Sequence, residues 1–196
     1  GINTSILNQI SKKIYSENFD HQNFKLEINK KTFQENLIEK YKNFKKTTFL
    51  DKSLENFFHI ETILQFFPNA KFIHTYRNIN DAVIGIYQTM LPKLSWSHKI
   101  EDIINYVNMY KSTIEYFKKK YQDKIIDIDL IKLTNEKERE VKKILTFCEI
   151  KINKNYLDYD KNDKLFNKTN SFLQVREKIK KYEENKYKPY YYLFKK

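Results

Sequence analysis

PNAKFIHTYRNINDAVIGIYQTM, residues 68–90, joins a short apolar run to a helical pattern through a single arginine, Arg77. The run before Arg77, residues 70–76, is rich in β-branched and aromatic residues and predicts a strand. Apolar residues after it recur at helical spacing, at Ala82, Val83, Ile86, Tyr87 and Met90. Arg77 is therefore predicted to lie at the carboxyl end of a strand where a helix begins, a position at which α/β proteins commonly hold anions.

Two further segments predict strands. Residues 47–52 (TTFLDK) form a short apolar run like 70–76, whereas residues 124–130 (KIIDIDL) alternate, which suits a strand nearer an edge. Helical stretches separate the three segments, and alternating β and α units form mainly parallel sheets. We therefore predict an α/β fold with a mainly parallel sheet flanked by helices. Lys52 and Arg77 would both lie at carboxyl ends of strands, where such sheets bind ligands.

Apolar periodicity places three other helices, at residues 53–67, 99–121 and 136–149. Ser53 is the predicted N-cap of the first of these helices, and Pro68 ends it. The other two are amphipathic, with apolar residues on one face and lysines and carboxylates on the opposite face.

The helix that follows Arg77 is predicted to begin with Asn78 or Asn80 as its N-cap. Asp81 would then lie near the positive end of the helix dipole. Because Asp81 is four residues from Arg77, a local ion pair between the two is the alternative to anion binding by Arg77.

The chain has 196 residues, enough for one domain with its own core. We predict a single domain, 1–196, with a weakly helical lead-in (1–45), an α/β core (46–150) and a C-terminal tail (151–196). No run approaches the roughly 20 apolar residues of a membrane span. No signal peptide is visible either, so we expect a cytoplasmic protein with no membrane partner.

Composition restricts the chemistry further. Cys148 is the only cysteine and lies on the apolar face of its helix, which favours a core residue over a nucleophile and excludes an internal disulfide. The four histidines show no metal-binding spacing, so we expect no metal. The formal net charge is +12, which favours anionic partners. A chain this rich in Lys, Asn, Ile, Tyr and Phe is also what AT-rich coding DNA produces, so part of that charge is attributable to composition alone.

The stretch around Arg77 resembles the sulfotransferases, especially the bacterial branch related to tyrosylprotein sulfotransferases. LDKSLENFFHIETILQFFPNAKFIHTYRNINDAV (50–83) is similar to the family's succession of a D/N-K-x-P-x-N-F motif, a helix, F-P-N-A-K/R-F/I-I and R-D-P-x-D. Later stretches agree in order and spacing, so that the resemblance covers residues 47–190. They are WSHKIEDIINYVNMYKSTIEYF (96–117), VKKILTFCEI (141–150), TNSFLQVREKI (169–179) and NKYKPY (185–190).

The resemblance implies a fold like that of the P-loop kinases and transfer of a sulfonate from 3′-phosphoadenosine 5′-phosphosulfate (PAPS) to a hydroxyl or amine. Carried over by position, Arg77 would bind the 3′-phosphate of the nucleotide, and Gly85 falls on a serine of the same phosphate site. Lys52 matches the lysine at the reacting sulfonate, and Ser171 matches a serine beside the cofactor. Lys186 matches a basic residue that reaches the phosphates from the C-terminal tail, which would cover the cofactor.

These residue types suit such a reaction. Sulfonyl transfer, like phosphoryl transfer, spreads charge over peripheral oxygens, so that catalysis is largely positioning and charge stabilisation. A lysine supplies a mobile point charge for a bridging oxygen, and an arginine supplies a fixed fork for phosphate. Non-functional interpretations of these residues stay open as well. Lys52 would then be a solvated lysine, Ser171 a turn cap and Lys186 one of many lysines in the tail.

The chain departs from the family pattern at the 5′-phosphosulfate loop. Such a loop wraps phosphate with backbone N–H groups and needs glycines, but the sequence has only Gly1 and Gly85. The family's catalytic Glu aligns with Ile2, its phosphate-site serine with Gly85, and its Y-E-D-L tyrosine with Leu130. We therefore expect an N-terminally incomplete domain that is inactive or nearly so alone. Three explanations stay open: a truncated piece of a longer enzyme, one half of a split protein that an N-terminal segment complements, and a decayed homologue that binds a ligand without catalysis.

The resemblance thus implies the C-terminal portion of a sulfotransferase domain that binds PAPS or adenosine 3′,5′-bisphosphate, with an acceptor that the sequence does not specify. The missing loop leaves open whether this chain is itself an active enzyme. The alternatives are a non-catalytic basic module that binds nucleic acid or another polyanion, and a partner-binding structural protein. Nucleic acid is the weaker of these, because the basic residues are scattered and no nucleic-acid-binding motif is present.

Overall fold

The computed structural model describes residues 50–92, 94–152, 181–183 and 186–194. These residues fall into two compact units, one formed by those before Lys71 and the other by those from Lys71 onward. The predicted lead-in and most of the predicted tail lie outside the described residues. The single-domain organisation therefore stays a prediction, and the two units are described separately.

The first unit is short and helical. A 3-10 helix spans Leu54–His59, and helix α1 spans Ile60–Phe66, so that the helix predicted at 53–67 has a tighter first half. Phe67 closes α1 directly before Pro68, as the sequence predicts. The predicted helical structure of this segment is confirmed. The spacing of its apolar residues does not reveal that the first half is a 3-10 helix and the second half an α-helix.

The prediction of a strand at 47–52 is wrong for the part that the structure describes, 50–52. Leu50 is 84% exposed, so this segment buries no apolar face against a sheet. The Asp51 carboxylate accepts hydrogen bonds from the backbone N–H and the hydroxyl of Ser53, at 2.9 and 2.6 Å. This turn leads into the 3-10 helix, and Ser53 does not cap that helix with its side chain.

The second unit is built on a parallel pair of strands. β1 (Phe72–Tyr76) and β2 (Ile125–Asp129) pair over their full five-residue length. Both strands lie inside predicted segments, and the predicted parallel arrangement is confirmed for this pair. Because parallel strands end at the same edge of a sheet, Arg77 and Leu130 follow the two strands at one carboxyl edge.

Two helices lie between these strands in the sequence and pack against each other. α2 spans Ile79–Thr89, α3 spans Ile100–Lys120, and a 3-10 helix at Ser95–His98 connects them. Both helices agree with the predicted ones. The buried centre of their interface is Val83, Ile103 and Val107, surrounded by Ile86, Trp96, Ile100, Ile104 and Phe194. Phe194 belongs to the C-terminal segment, by which we mean the described residues 181–183 and 186–194, and it packs against this core.

A polar cluster fixes α3 to the sheet. His74 donates from Nδ1 to the Asp127 carboxylate at 2.7 Å, and its Nε2 is hydrogen-bonded to the Tyr110 hydroxyl. Lys118 forms an ion pair with the other Asp127 oxygen at 2.7 Å. Burial acts to raise the pKa of Asp127, but the hydrogen bonds from Lys118 and His74 outweigh it and hold that pKa below its usual value. The cluster ties the middle of both strands to α3.

Two helices follow β2. α4 (Leu130–Asn135) is capped by the Asp129 carboxylate, and α5 (Lys137–Phe147) corresponds to the helix predicted at 136–149. The last described element is a 3-10 helix at Lys188–Phe194. Within the described ranges, no helix has both the length and the apolar character needed to cross a membrane.

Cys148 follows α5 and is partly buried. Burial raises the pKa of its thiol, and the nearby charge of Lys71 acts in the opposite direction. Because the thiolate is the reactive form of cysteine, a thiol with a raised pKa is a poor nucleophile at neutral pH. The raised pKa thus disfavours a nucleophilic role, and Cys148 lies at a partly buried position rather than in the buried core that the sequence predicts.

Candidate functional site

Arg77 lies where β1 ends and α2 begins, at the edge of the sheet that the sequence predicts to hold an anion. It forms part of the wall of an open hollow of about 430 Å³. The other lining residues come from the ends of both strands and the first turns of the helices that follow them. They are Tyr76, Asn78, Ile79, Asn80, Asp129 and Ile131.

Asn78 is the N-cap of α2, one of the two caps that the sequence predicts. Its side-chain oxygen accepts hydrogen bonds from the backbone N–H groups of Asn80 and Asp81, at 2.9 and 3.4 Å. Because the cap occupies these N–H groups, α2 contributes mainly its dipole to the hollow. That contribution is about 0.3–1 kcal/mol, against roughly 1.5–3 kcal/mol for a hydrogen bond from a charged group. Binding of an anion here therefore depends chiefly on Arg77.

The guanidinium of Arg77 rests against Gly85, within α2. A Cβ atom placed on Gly85 would lie 2.5 Å from Nη2 of Arg77, which is closer than the two atoms can pack. Gly85 therefore makes room for the guanidinium, in addition to lacking the hydroxyl of the family's serine. In the part of the chain that the structure describes, Arg77 forms no ion pair, so the predicted alternative of a local pair with Asp81 is wrong.

Asp81 lies in the first turn of α2 and is only 2% exposed. One of its carboxylate oxygens accepts a hydrogen bond from the Tyr191 hydroxyl at 2.6 Å, and the other accepts one from the Tyr182 hydroxyl. The two tyrosines lie 110 and 101 residues further along the chain. We call Asp81, Tyr182 and Tyr191 the clasp, because together they hold the C-terminal segment to the start of α2.

The clasp keeps both phenols protonated. Burial, together with the hydrogen bond to Asp81, raises the pKa of Tyr182 to about 12, and the positive charge of Arg77 acts against this rise. The hydrogen bond to Asp81, followed by burial, raises the pKa of Tyr191 to about 12. Both hydroxyls are therefore hydrogen-bond donors throughout the neutral range. The Tyr191 hydroxyl also lies 3.3 Å from the side-chain oxygen of Asn78, so the clasp adjoins the hollow.

Two further lining residues of the hollow, Tyr76 and Asp129, are aromatic and acidic. Burial, followed by the charge of Asp129, raises the pKa of Tyr76, whose ring is 41% exposed. The Asp129 carboxylate accepts a hydrogen bond from the backbone N–H of Ile131 at 2.7 Å. No group of His, Cys, Asp and Glu side chains suited to a metal ion occurs among the residues described. The hollow is thus lined by Arg77, by the aromatic residue Tyr76 and by Asp129, whose carboxylate is already hydrogen-bonded.

Comparison with known proteins identifies the family. A model described as "Sulfotransferase family" matches residues 6–154, which is most of the chain. The chain belongs to the sulfotransferase family. The match confirms the resemblance seen around Arg77 and extends it upstream into the predicted lead-in. It ends before the segments that contain Ser171 and Lys186.

One relative of this sulfotransferase-family chain is an uncharacterized protein of Aquifex aeolicus (strain VF5). The two are 30% identical over 145 residues, which cover 72% of this chain and 19% of the relative. The chain therefore spans about a fifth of the length of that relative.

The structure brings together only some of the predicted site residues of this sulfotransferase-family chain. Arg77 and Gly85 are in contact. Lys186 is exposed, and its ammonium lies 5.5 Å from a neighbouring tyrosine ring rather than in the wall of the hollow. Lys52 is exposed and belongs to the first unit, and Ser171 lies outside the described residues. The catalytic assignments of the last two stay predictions.

The clasp is the feature that sequence reasoning misses. Tyr182 and Tyr191 lie in a tail without clear periodicity, where tyrosines are more often packing residues. The one available signal is the R-D-P-x-D motif, in which Asp81 occupies the last position. That motif marks Asp81 as a position to examine, but it does not indicate a partner 100 residues away.

Proposed function

We propose that the hollow beside Arg77 binds phosphate of PAPS, and of the adenosine 3′,5′-bisphosphate left after transfer, in a domain for sulfonate transfer to a hydroxyl or amine. One observation carries this proposal. Arg77 lines the hollow where β1 ends and α2 begins, its guanidinium rests against Gly85 further along α2, and no carboxylate of the described residues pairs with it. Membership of the sulfotransferase family supports the reaction class, and a P-loop-kinase-like arrangement of the whole domain is proposed on the same basis.

The residues around the hollow fit a phosphate group. A guanidinium presents parallel N–H donors that match two oxygens of one phosphate, and it keeps its charge at every relevant pH. The positive end of α2 adds to the attraction. Gly85 supports the side chain without neutralising it. The carboxylate in the wall, that of Asp129, caps α4 and is hydrogen-bonded within the protein, which limits its repulsion of an anion.

The remaining assignments extend the proposal to catalysis. PAPS, when bound, supplies the activated sulfonate, so the chain has to position the reactants and stabilise charge. We assign Lys52 to the charge that develops at the reacting sulfonate and Ser171 to a hydrogen bond beside it. Lys186 is assigned to the phosphates. These three assignments rest on position within the family pattern.

We also expect that these 196 residues alone catalyse sulfonate transfer very poorly. Gly85 lies in the middle of α2 and supports Arg77, so it is not part of a phosphate-binding loop. Only Gly1 is left for a loop whose backbone must approach phosphate closely. We propose that sulfonate transfer requires a loop of this kind in addition to these 196 residues.

Ligand discrimination tests the proposal. In calorimetric titrations at one ionic strength, adenosine 3′,5′-bisphosphate is expected to bind about tenfold more tightly than adenosine 5′-monophosphate, because only the former carries a phosphate for Arg77 at the 3′ position. Adenosine itself should bind more weakly still. Equal affinities for all three compounds would contradict phosphate recognition. In a parallel assay, release of the bisphosphate from PAPS should stay at background, and robust turnover would overturn the missing-loop argument.

A further inference from the structure

The clasp is built around a carboxylate that water does not reach. Burial of an ionised carboxylate is unfavourable unless hydrogen bonds or an opposite charge compensate for it. In the described part of the chain no cation pairs with Asp81, and the compensation comes from the hydroxyls of Tyr182 and Tyr191. The two tyrosines are therefore needed at this position, and the carboxylate specifies where the C-terminal segment lies.

Other contacts reinforce this attachment. The backbone N–H of Tyr182 donates to the Thr134 hydroxyl in α4 at 3.1 Å, and the Tyr191 hydroxyl also lies 3.3 Å from the side-chain oxygen of Asn78. Phe194 packs on the core between α2 and α3. The segment is thus held from both sides of the clasp, by polar contacts at the hollow and by apolar packing beyond it.

The clasp restricts the position of Lys186. Lys186 is four residues from Tyr182 and five from Tyr191, and both tyrosines bind the same carboxylate. At no more than about 3.5 Å per residue, the Cα atom of Lys186 lies within roughly 14 Å of that of Tyr182. The Tyr191 hydroxyl is in turn 3.3 Å from the side-chain oxygen of Asn78, which lines the hollow. A long, exposed lysine side chain attached there can approach the hollow.

We propose that Asp81 is a positioning residue, whose bonds to Tyr182 and Tyr191 hold Lys186 where it can reach a phosphate bound at Arg77. The inference rests on the proposed function. It assigns to Asp81 a role in ligand affinity that acts through the C-terminal segment and involves no contact with the ligand.

Coupling between Asp81 and Lys186 is the direct test. In the parent chain, Lys186→Ala is expected to weaken binding of adenosine 3′,5′-bisphosphate by roughly three- to tenfold, the effect of losing one exposed charged contact. In an Asp81→Ala background the same substitution should change affinity by less than about 1.5-fold, because Lys186 is no longer held near the phosphate. Asp123→Ala, which removes an exposed carboxylate, is the matched background, and there the full Lys186 effect should persist.

This double-mutant cycle of Asp81→Ala and Lys186→Ala distinguishes failure of the positioning role from failure of the proposed function. An undiminished Lys186 effect in the Asp81→Ala background would overturn the positioning role while leaving phosphate binding intact. Absence of measurable bisphosphate binding in the parent chain would overturn the proposed function, and this inference with it. Tyr191→Phe keeps the aromatic ring and serves as a second, milder variant. It should reduce the Lys186 effect in part.

Tyrosine titration gives a readout that does not need the ligand. Tyr182 and Tyr191 have pKa values of about 12, as does Tyr110, whereas ordinary tyrosines ionise near pH 10. At about pH 11 these three should be largely neutral, and Tyr110, which is bonded to His74 rather than to Asp81, should be unaffected by a change at Asp81. Asp81→Ala is expected to add about one phenolate, and no more than about 1.6, to the tyrosinate absorbance at that pH, because burial also contributes to both shifts. An unchanged absorbance, with folding verified by circular dichroism at the same pH, would show that the clasp does not form and would overturn the proposal.

Discussion

Arg77→Ala is expected to weaken binding of adenosine 3′,5′-bisphosphate by about 10- to 100-fold, because charge-assisted hydrogen bonds to phosphate contribute roughly 1.5–3 kcal/mol. The substitution leaves the dipole of α2 as the principal remaining attraction of the hollow, worth about 0.3–1 kcal/mol. The guanidinium forms no ion pair among the described residues, so removing it also leaves no carboxylate unpaired. Calorimetric titration at a fixed salt concentration measures the loss.

Arg139→Ala is the matched control for this prediction. Arg139 is 75% exposed and pairs with Glu136 at 2.5 Å on the surface of α5, so its removal changes the net charge by the same amount as Arg77→Ala. Affinity for the bisphosphate should then change by less than about twofold, since long-range charge effects are screened by salt. Equal losses in the two variants would attribute binding to the basic surface as a whole and would contradict the role of Arg77.

Ile103→Ala is expected to reduce the free energy of unfolding by about 3 kcal/mol, within the 2–5 kcal/mol typical of such truncations. Ile103 is fully buried between α2 and α3, where its loss leaves a cavity next to Val83 and Val107. The same core anchors Phe194, so the C-terminal segment should loosen as well. Urea denaturation followed by circular dichroism measures the change in stability.

Met109→Ala provides the comparison within the same helix. Met109 lies in α3 but is 44% exposed, so truncation creates no closed cavity. We expect a destabilisation below about 0.5 kcal/mol, as for most surface substitutions. If Ile103→Ala were as mild as Met109→Ala, α2 and α3 would not share the tightly packed interface on which the position of Arg77 depends.

Local patterns predict the elements around Arg77 well. β1 is a run of β-branched and aromatic residues, and α2 follows it with an apolar stripe and the Asn78 cap. α3 is long enough for its apolar spacing to be unambiguous over several turns. Each of these signals lies within a few residues of the element that it specifies, so a single sequence is sufficient to place Arg77 at the start of a helix.

Other features depend on contacts that local patterns do not encode. The segment at 50–52 has the composition of a strand end, but the Asp51 carboxylate and Ser53 form a turn instead. Short α4 has too few residues for an apolar period to emerge. The clasp joins residues about 100 positions apart, and a tyrosine in a polar tail does not reveal that its hydroxyl meets a buried carboxylate. The turn at residues 50–52, helix α4 and the clasp therefore become apparent only from the three-dimensional structure.

At the contact between Arg77 and Gly85, one feature can be predicted from the sequence and another is revealed only by the structure. Alignment with the family pattern correctly marks position 85 as part of the surroundings of Arg77. Sequence reasoning considers only the lost serine hydroxyl, whereas the structure shows that the missing Cβ provides the space in which the guanidinium rests. A small residue can thus alter a site through the volume that it leaves as well as through the group that it lacks.

A crystal structure of the chain with adenosine 3′,5′-bisphosphate tests the central claim most directly. We predict a phosphate in the hollow at the end of β1, with its oxygens accepting hydrogen bonds of about 2.7–2.9 Å from the guanidinium of Arg77. A nucleotide bound elsewhere, with the hollow empty and Arg77 making no contact to phosphate, would contradict the account.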